Sequence, residues 1–594
     1  MSYRRKKLLA LFFAMALSMT AVAGCTGIKS STGNVVSSET ETNAEETSAQ
    51  SEAGTFSSAD MFTERDLAGT YEESGAVYVT LSDDGIAGET DGVVIDGQMV
   101  TITAEGTYIF SGTLSEGQIV VDADNAKVQI VFDNVDITCA SSAAVYVKSA
   151  EKVFVTLAEG SQNTLRNTDE YVAIDDNNID AVIFAKSDLT LNGTGSLTII
   201  SAEGHGIVSK DDLKIIGGTY DITAAGHALS GKDSVRIADG TFILTAEKDG
   251  IHAENADDEE KGYIYIADGD FTITSDGDGM DASNIVQIED GTLDITAGGG
   301  SANSLKTHES DVPGGPGGGM PQNGEKLDGE SMPQMGEKPD GENMPQDTTT
   351  DESGTSTKGI KAGGGMYLNG GTYQIDSADD SIHSNANITI ADGTYTLATG
   401  DDGVHADDAL IVNGGTITVT ESYEGLEGLT VTINDGTIDI TASDDGINTA
   451  GEKMELNGGY IHILAGGDGV DSNGDLTING GEIYIDGPSD NGNSAIDYGD
   501  RSSAYVNGGM LVAIGSSGMA EGMSDSSKQE VLMVKLGEQM EAGDVELTDS
   551  EGNVIVSYTA LKSYDCVIIS TAEVESGATY TLTTSGTTTE VTAE

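Results

Sequence analysis

A glycine recurs at a nearly fixed interval along most of this 594-residue chain. It stands in phrases such as GGT, ADGT and NGGT, at Gly218, Gly240, Gly269, Gly291, Gly371, Gly393, Gly415, Gly436, Gly459 and Gly481. The intervals are 22, 29, 22, 80, 22, 22, 21, 23 and 22 residues, so apart from two insertions the period is 22. Two and four residues after each glycine the side chain is large and apolar, from Tyr220 and Ile222 to Ile483 and Ile485, while the residues between are mostly polar. Such alternation marks a strand with one buried face. A period of 22 leaves room for two or three short strands with their turns, and units stacked about 4.8 Å apart bury a continuous aliphatic core. The pattern predicts an all-β fold, a parallel β-helix with about 22 residues per coil. Helical solenoids fail on the period of 2, and propeller blades need roughly 40–45 residues.

The flanks divide the rest of the chain. Arg4, Arg5, Lys6 and Lys7 precede an apolar run that ends in VAG before Cys25, the pattern of an export signal over residues 1–24. The VAGC ending resembles a bacterial lipobox, which implies a lipidated Cys25 and a protein held on the outer face of a bacterial membrane. Residues 25–60 read as a tether rich in Ser, Thr and Glu, and 310–354 as a disordered low-complexity insertion. The β-helix is expected over 61–527 and a small antiparallel β cap over 528–594. Removing residues 1–24 with their four cations takes the formal charge from −73 to −77, which argues against nucleic acid as a partner and suits an exported protein in a calcium-containing medium. Cys139 and Cys566 are too far apart in the repeat to suggest a disulfide.

One acidic phrase keeps a fixed place in the repeat. Nine residues after the anchor stand Asp249, Asp278, Asp380, Asp402, Glu424, Asp445 and Asp468; twelve after it stand His252, Asp281, His383, His405, Glu427, Asn448 and Asp471. In register these form two ladders along one edge. Carboxylates about 5 Å apart repel by roughly 3 kcal/mol at an effective dielectric of 20, so hydration, shared protons or cations must hold the ladder. Oxygen donors of this kind suit Ca²⁺, with Asp249, Asp278, Asp281, Asp380, Asp402, Asp445, Asp468 and Asp471 as candidate ligands. The competing reading is a tight turn, with Asp tolerating αL and Gly supplying positive φ. His383 and His405 either stack or bind sugar hydroxyls. One repeat writes both positions in lysine, Lys358 and Lys361. They are a salt-bridge plug, a cationic subsite for a sugar carboxylate, or a general base beside Ca²⁺. Flanking carboxylates raise a lysine pKa, which weighs against the base.

Several phrases carry a family resemblance: MFTERDLAGTY at Met61, VTITAEGTYIFSGTL at Val100, AAVYVKSAEKVFVTLAEGSQNTL at Ala143, STKGIKA, GSSGMAE and GATYTL. Together they resemble the carbohydrate-binding β-helix proteins of bacterial cell surfaces, from about residue 60 onward. The resemblance implies a right-handed parallel β-helix with calcium sites that binds acidic polysaccharide such as polygalacturonate. It also implies structural kinship to calcium-dependent pectate lyases, although no catalytic residue of theirs maps onto this chain. The leading expectation is a monomeric surface lipoprotein binding uronate-rich, plant-type polysaccharide through Ca²⁺. The alternatives are a calcium-dependent lyase using Lys358 or Lys361, and a structural stalk.

Overall fold

The computed structural model describes residues 56–306 and 356–593, apart from positions 89, 173, 174 and 500. The expected signal peptide, Cys25, the tether as far as residue 55 and the 310–354 insertion lie outside the described residues. The chain divides into two units, Met1–Ala53 and Gly54–Glu594, and all that follows concerns the second.

From Val145 onward the repeat consists of three strands, the first two running together in Val404–Val412, Leu426–Ile433 and Ile447–Leu456, and each pairs in parallel with its counterpart one repeat later. Three parallel ladders result. One runs from Val145–Ser149 to Ile496–Tyr498, a second from Lys152–Leu157 to Ala504–Val506, and a third from Gln162–Asn167 to Met510–Gly515. Inward side chains of all three, such as Ile251, Ile264 and Phe271, meet in one continuous apolar core. The protein is therefore all-β and dominated by parallel pairing. The two apolar columns expected from the alternation are rows of the third ladder: Tyr220 pairs with Phe242, Phe242 with Phe271, and Tyr373 with Tyr395. Their rings stack at 5.3, 4.6 and 4.5 Å.

The anchor glycines turn the chain into this third strand. All ten have φ between 85° and 144°, which an L side chain rarely adopts. The residues before them build a row that the periodicity alone did not reveal. The side-chain amides of Asn434, Asn457, Asn479 and Asn507 each donate to the carbonyl of the asparagine one repeat earlier, at 2.8–2.9 Å. The long intervening segment does not disturb the register. Met280–Ala282 pairs directly with Ile360–Ala362, and Thr292–Ala297 with Thr372–Ser377.

Both ends of the stack are modified. At the C-terminus, Leu532–Met540 and Tyr564–Ser570 add antiparallel pairings next to Met510–Gly515. A separate four-stranded antiparallel sheet follows, and its core takes in Val512 and Ile514 of the last parallel strand. At the N-terminus the packed chain begins by Phe56, earlier than the expected boundary at 61. Phe56 and Met61 pack with Tyr263 and Tyr265, and the Gln287 side chain bonds the Phe56 backbone at 2.6 and 3.0 Å. Thr63 and Asp66 then form a capping box on Glu64–Leu67. The fully buried Asp66 carboxylate meets Lys152 Nζ at 2.5 Å and the Thr190 hydroxyl at 2.8 Å. Burial opposes its charge, yet the bonds from Lys152 and Thr63 win and hold its pKa at about 2. Residues 56–67 thus strap several repeats together along their outer face.

Candidate functional site

The acidic phrase occupies the turn into the first ladder and the strand that follows. The register aligns the second column: His252, Asp281, Lys361, His383, His405, Glu427, Asn448 and Asp471 follow one another in consecutive repeats, and Asp497 extends the row. The residues of the turn column have a structural task of their own. Asp249 accepts the backbone N–H of Asp278 at 2.9 Å, and Asp278 that of Lys358 at 2.7 Å. Asp380 accepts from Asp402, Asp402 from Glu424, and Asp445 from Asp468, at 3.2, 3.2 and 2.6 Å. His205 and His227 begin the same column, accepting from the next repeat through Nδ1. A lysine offers no acceptor, so at the Lys358 step the Asp380 N–H turns to the neighbouring Asp379 carboxylate.

The tight-turn reading of Asp-Gly fails on its glycine. Gly250, Gly279, Gly359, Gly403, Gly425, Gly446 and Gly469 are absent from the positive-φ residues. They are glycine because of space: a Cβ on Gly446 would lie 2.2 Å from Ile463 Cγ2 and 2.5 Å from the Gly469 carbonyl of the next repeat.

Charge is neutralised unevenly along the ladder. Asp249 lies 3.2 Å from His252 Nδ1, and His252 also reaches Asp281 at 3.3 Å. Burial disfavours the His252 cation, but Asp249 and Asp281 outweigh it and push its pKa up to about 9. Lys361 sits between Asp278 and Asp281, at 3.4 and 3.3 Å. Lys358 is clasped by Asp379 and Asp380 at 2.8 and 2.6 Å. Lys306, on the far side of the long intervening segment, enters the same cluster against Asp379 and Asp401. Burial works against both ammoniums, yet the surrounding aspartates hold their pKa values well above the ordinary range. His383 Nδ1 approaches Asp380 at 2.8 Å; His405 Nδ1 lies between Asp402 and Glu427 at 3.0 and 2.9 Å.

One stretch has no such partner. Carboxylate oxygens of Asp445, Asp468 and Asp471 lie within 4.8 Å of one another, and among the described residues no Lys, Arg or His pairs with them. Burial is the main cause that pushes their pKa values up, to about 8, 7 and 6; Asp444 and Asp497 add repulsion. The eight expected ligands therefore divide. Asp249, Asp278, Asp281, Asp380 and Asp402 face a cationic or imidazole side chain, whereas no Lys, Arg or His among the described residues faces Asp445, Asp468 or Asp471, and backbone N–H groups donate to the first two. An all-carboxylate trio suits a hard divalent cation.

Over residues 96–403 and 401–592 the chain matches the family described as carbohydrate-binding domain-containing protein. It belongs to that family. A protein of the same description from Acetivibrio thermocellus is 40% identical over 139 residues, 23% of this chain and 49% of the relative. The chain thus spans about half the length of that curated relative. A solved polysaccharide lyase-like protein from C. thermocellum, a gadolinium derivative, is 36% identical, with 38% of this chain and 92% of that one covered at a TM-score of 0.37. Within this family member, the sequence pattern did not single out Lys306. Its offset from the anchors is hidden by the long segment between it and Lys358.

Proposed function

We propose that the chain is an exported lipoprotein, anchored through Cys25, whose right-handed parallel β-helix binds acidic, uronate-rich polysaccharide through calcium. Three parallel ladders around one core support the β-helix. Membership of a carbohydrate-binding family supports a glycan partner. The observation that carries the calcium is the trio of buried Asp468 and half-buried Asp445 and Asp471, which no basic side chain among the described residues compensates. Those three residues would hold the ion. Bound there, Ca²⁺ supplies the positive charge that lets a strongly acidic protein accept a polyanion. Lys361, His383 and His405 lie along the same edge, where they can meet sugar carboxylates and hydroxyls.

The lysine arrangement favours binding over cleavage. A general base needs a neutral amine, and Lys358 is buried as an ammonium between Asp379 and Asp380. Retention of the full chain on a polygalacturonate gel is expected in Ca²⁺ and lost in chelator. Unchanged retention in chelator would sink the bridging mechanism. Unsaturated uronides, seen as ultraviolet absorbance, would restore the lyase reading. Calcium-dependent stability without retention would leave a stalk.

A further inference from the structure

The third ladder turns alternate residues to solvent, and across four consecutive repeats these make an uncommon surface. Thr394 and Thr396, then Thr416 and Thr418, then Thr437, then Tyr460 follow one another in register. Thr394, Thr416 and Thr437 are exposed, and Tyr460 is 41% exposed. The five threonine hydroxyls have no hydrogen-bond partner among the described residues. Strand geometry spaces them about 4.8 Å apart between repeats and about 7 Å apart within a strand.

In a chain with 100 acidic and 27 basic residues, this strip carries one carboxylate within it. That carboxylate, Asp439, lies 2.9 Å from His462 Nδ1; Asp392, Asp435, Glu421 and Glu482 stand at the rim. Asp486 and Asp439 together raise the His462 pKa against burial. The aromatic end is braced. Tyr460 lies 5.7 Å from Tyr484, which stacks on Tyr558 of the C-terminal sheet at 5.1 Å, and the Tyr558 hydroxyl is tied to Asp486. A braced tyrosine presents apolar area with little entropy left to lose.

We infer that this strip is a second carbohydrate site, independent of calcium, for an extended neutral polysaccharide lying along the stacking direction. A pyranose has an apolar C–H face and a rim of hydroxyls. Tyr460 offers a ring to the first, while threonine offers both a methyl and a hydroxyl. The strip repeats at one strand spacing, close to the length of one sugar unit in an extended chain, so a regular polymer meets equivalent groups at each step. A neutral occupant follows from charge: a polyanion would gain nothing here and would be repelled by the rim acids. The inference rests on the carbohydrate-binding reading but not on the calcium.

The test uses the full chain, with insoluble xylan and β-glucan as probes, once in chelator and once in calcium. Wild type is expected to be retained. Tyr460→Ala should lower retention about tenfold, as for a truncated aromatic hot spot, with Tyr460→Phe close to wild type. Thr416→Val with Thr418→Val, which keeps shape and removes two hydroxyls, should also weaken it, and Asp468→Asn should leave it unchanged. No retention in chelator, or equal retention by Tyr460→Ala, overturns the site. So does retention that requires calcium and Asp468, which would return glycan binding to the acidic edge. Xylan binding that survives a failed polygalacturonate test would refute the calcium proposal alone. Self-association lost in Tyr460→Ala would make the strip a dimer face and also overturn it.

Discussion

Gly446 sits beneath Ile463, and the pair states a packing rule that runs through the repeat. In the same column Gly250, Gly279, Gly359, Gly425 and Gly469 each face the Cγ2 methyl of an isoleucine one repeat on, at 2.1–2.4 Å from a notional Cβ. From Gly206 to Ala495 three positions break the glycine rule, Ala228, Ser381 and Ala495. Their repeats are followed by Leu244, Leu397 and Ala513, which carry no branch at Cβ and so leave room. Gly446→Ala should therefore cost about 3 kcal/mol through overpacking. Adding Ile463→Leu should recover much of that loss. Thermal melts of the two variants check it: a double variant no more stable than the single would refute the rule. The glycine itself is plain in the sequence, but its reason is not. Only stacking brings its Cα under a side chain 17 places along.

At the scale of the element, the acid ladder is a row of amide acceptors that becomes a cation site only where no side chain neutralises it. Asp445, Asp468 and Asp471 hold their protons to about pH 8, 7 and 6, whereas an unfolded chain releases them near pH 4. The native state then binds more protons than the unfolded state between those limits, so stability without a divalent ion falls as pH rises from about 4 to about 8. Calcium should raise the melting temperature by several degrees at pH 8 and very little at pH 5. Asp468→Asn keeps an acceptor for the Ser494 N–H and removes one charge. It should melt above wild type in chelator at pH 8 and respond less to calcium. An equal calcium response at both pH values would contradict this. The ladder was legible because its residues keep constant offsets from the anchor glycines. Its neutralisation was not, since the lysine opposite Asp401 arrives from residue 306, outside the period. The threonine strip and the asparagine row are periodic too, but nothing in a one-dimensional pattern says which rows stay exposed or bond to each other.

For the molecule as a whole, a stack of repeats normally couples only nearest neighbours, so its parts can melt separately. The strap formed by residues 56–67 breaks that locality. Gln287 holds Phe56 across 231 positions, Arg236 reaches the Met61 carbonyl at 3.3 Å, and Lys152 holds Asp66 across 86. These one-off pairings have no periodic signature, which is why residues 56–60 read as tether. Asp66→Ala would leave Lys152 without its buried partner, a loss of about 3 kcal/mol. Urea unfolding of that variant should broaden or split, with the N-terminal repeats opening first. A single transition as steep as wild type would argue that the strap couples nothing. The same arrangement has a mechanical consequence. A load applied at Phe56 meets Gln287 first, then Arg236, then Lys152, so the strap peels contact by contact along the flank before any pair of repeats is pulled apart. It acts as a shock absorber for the ladders beneath it.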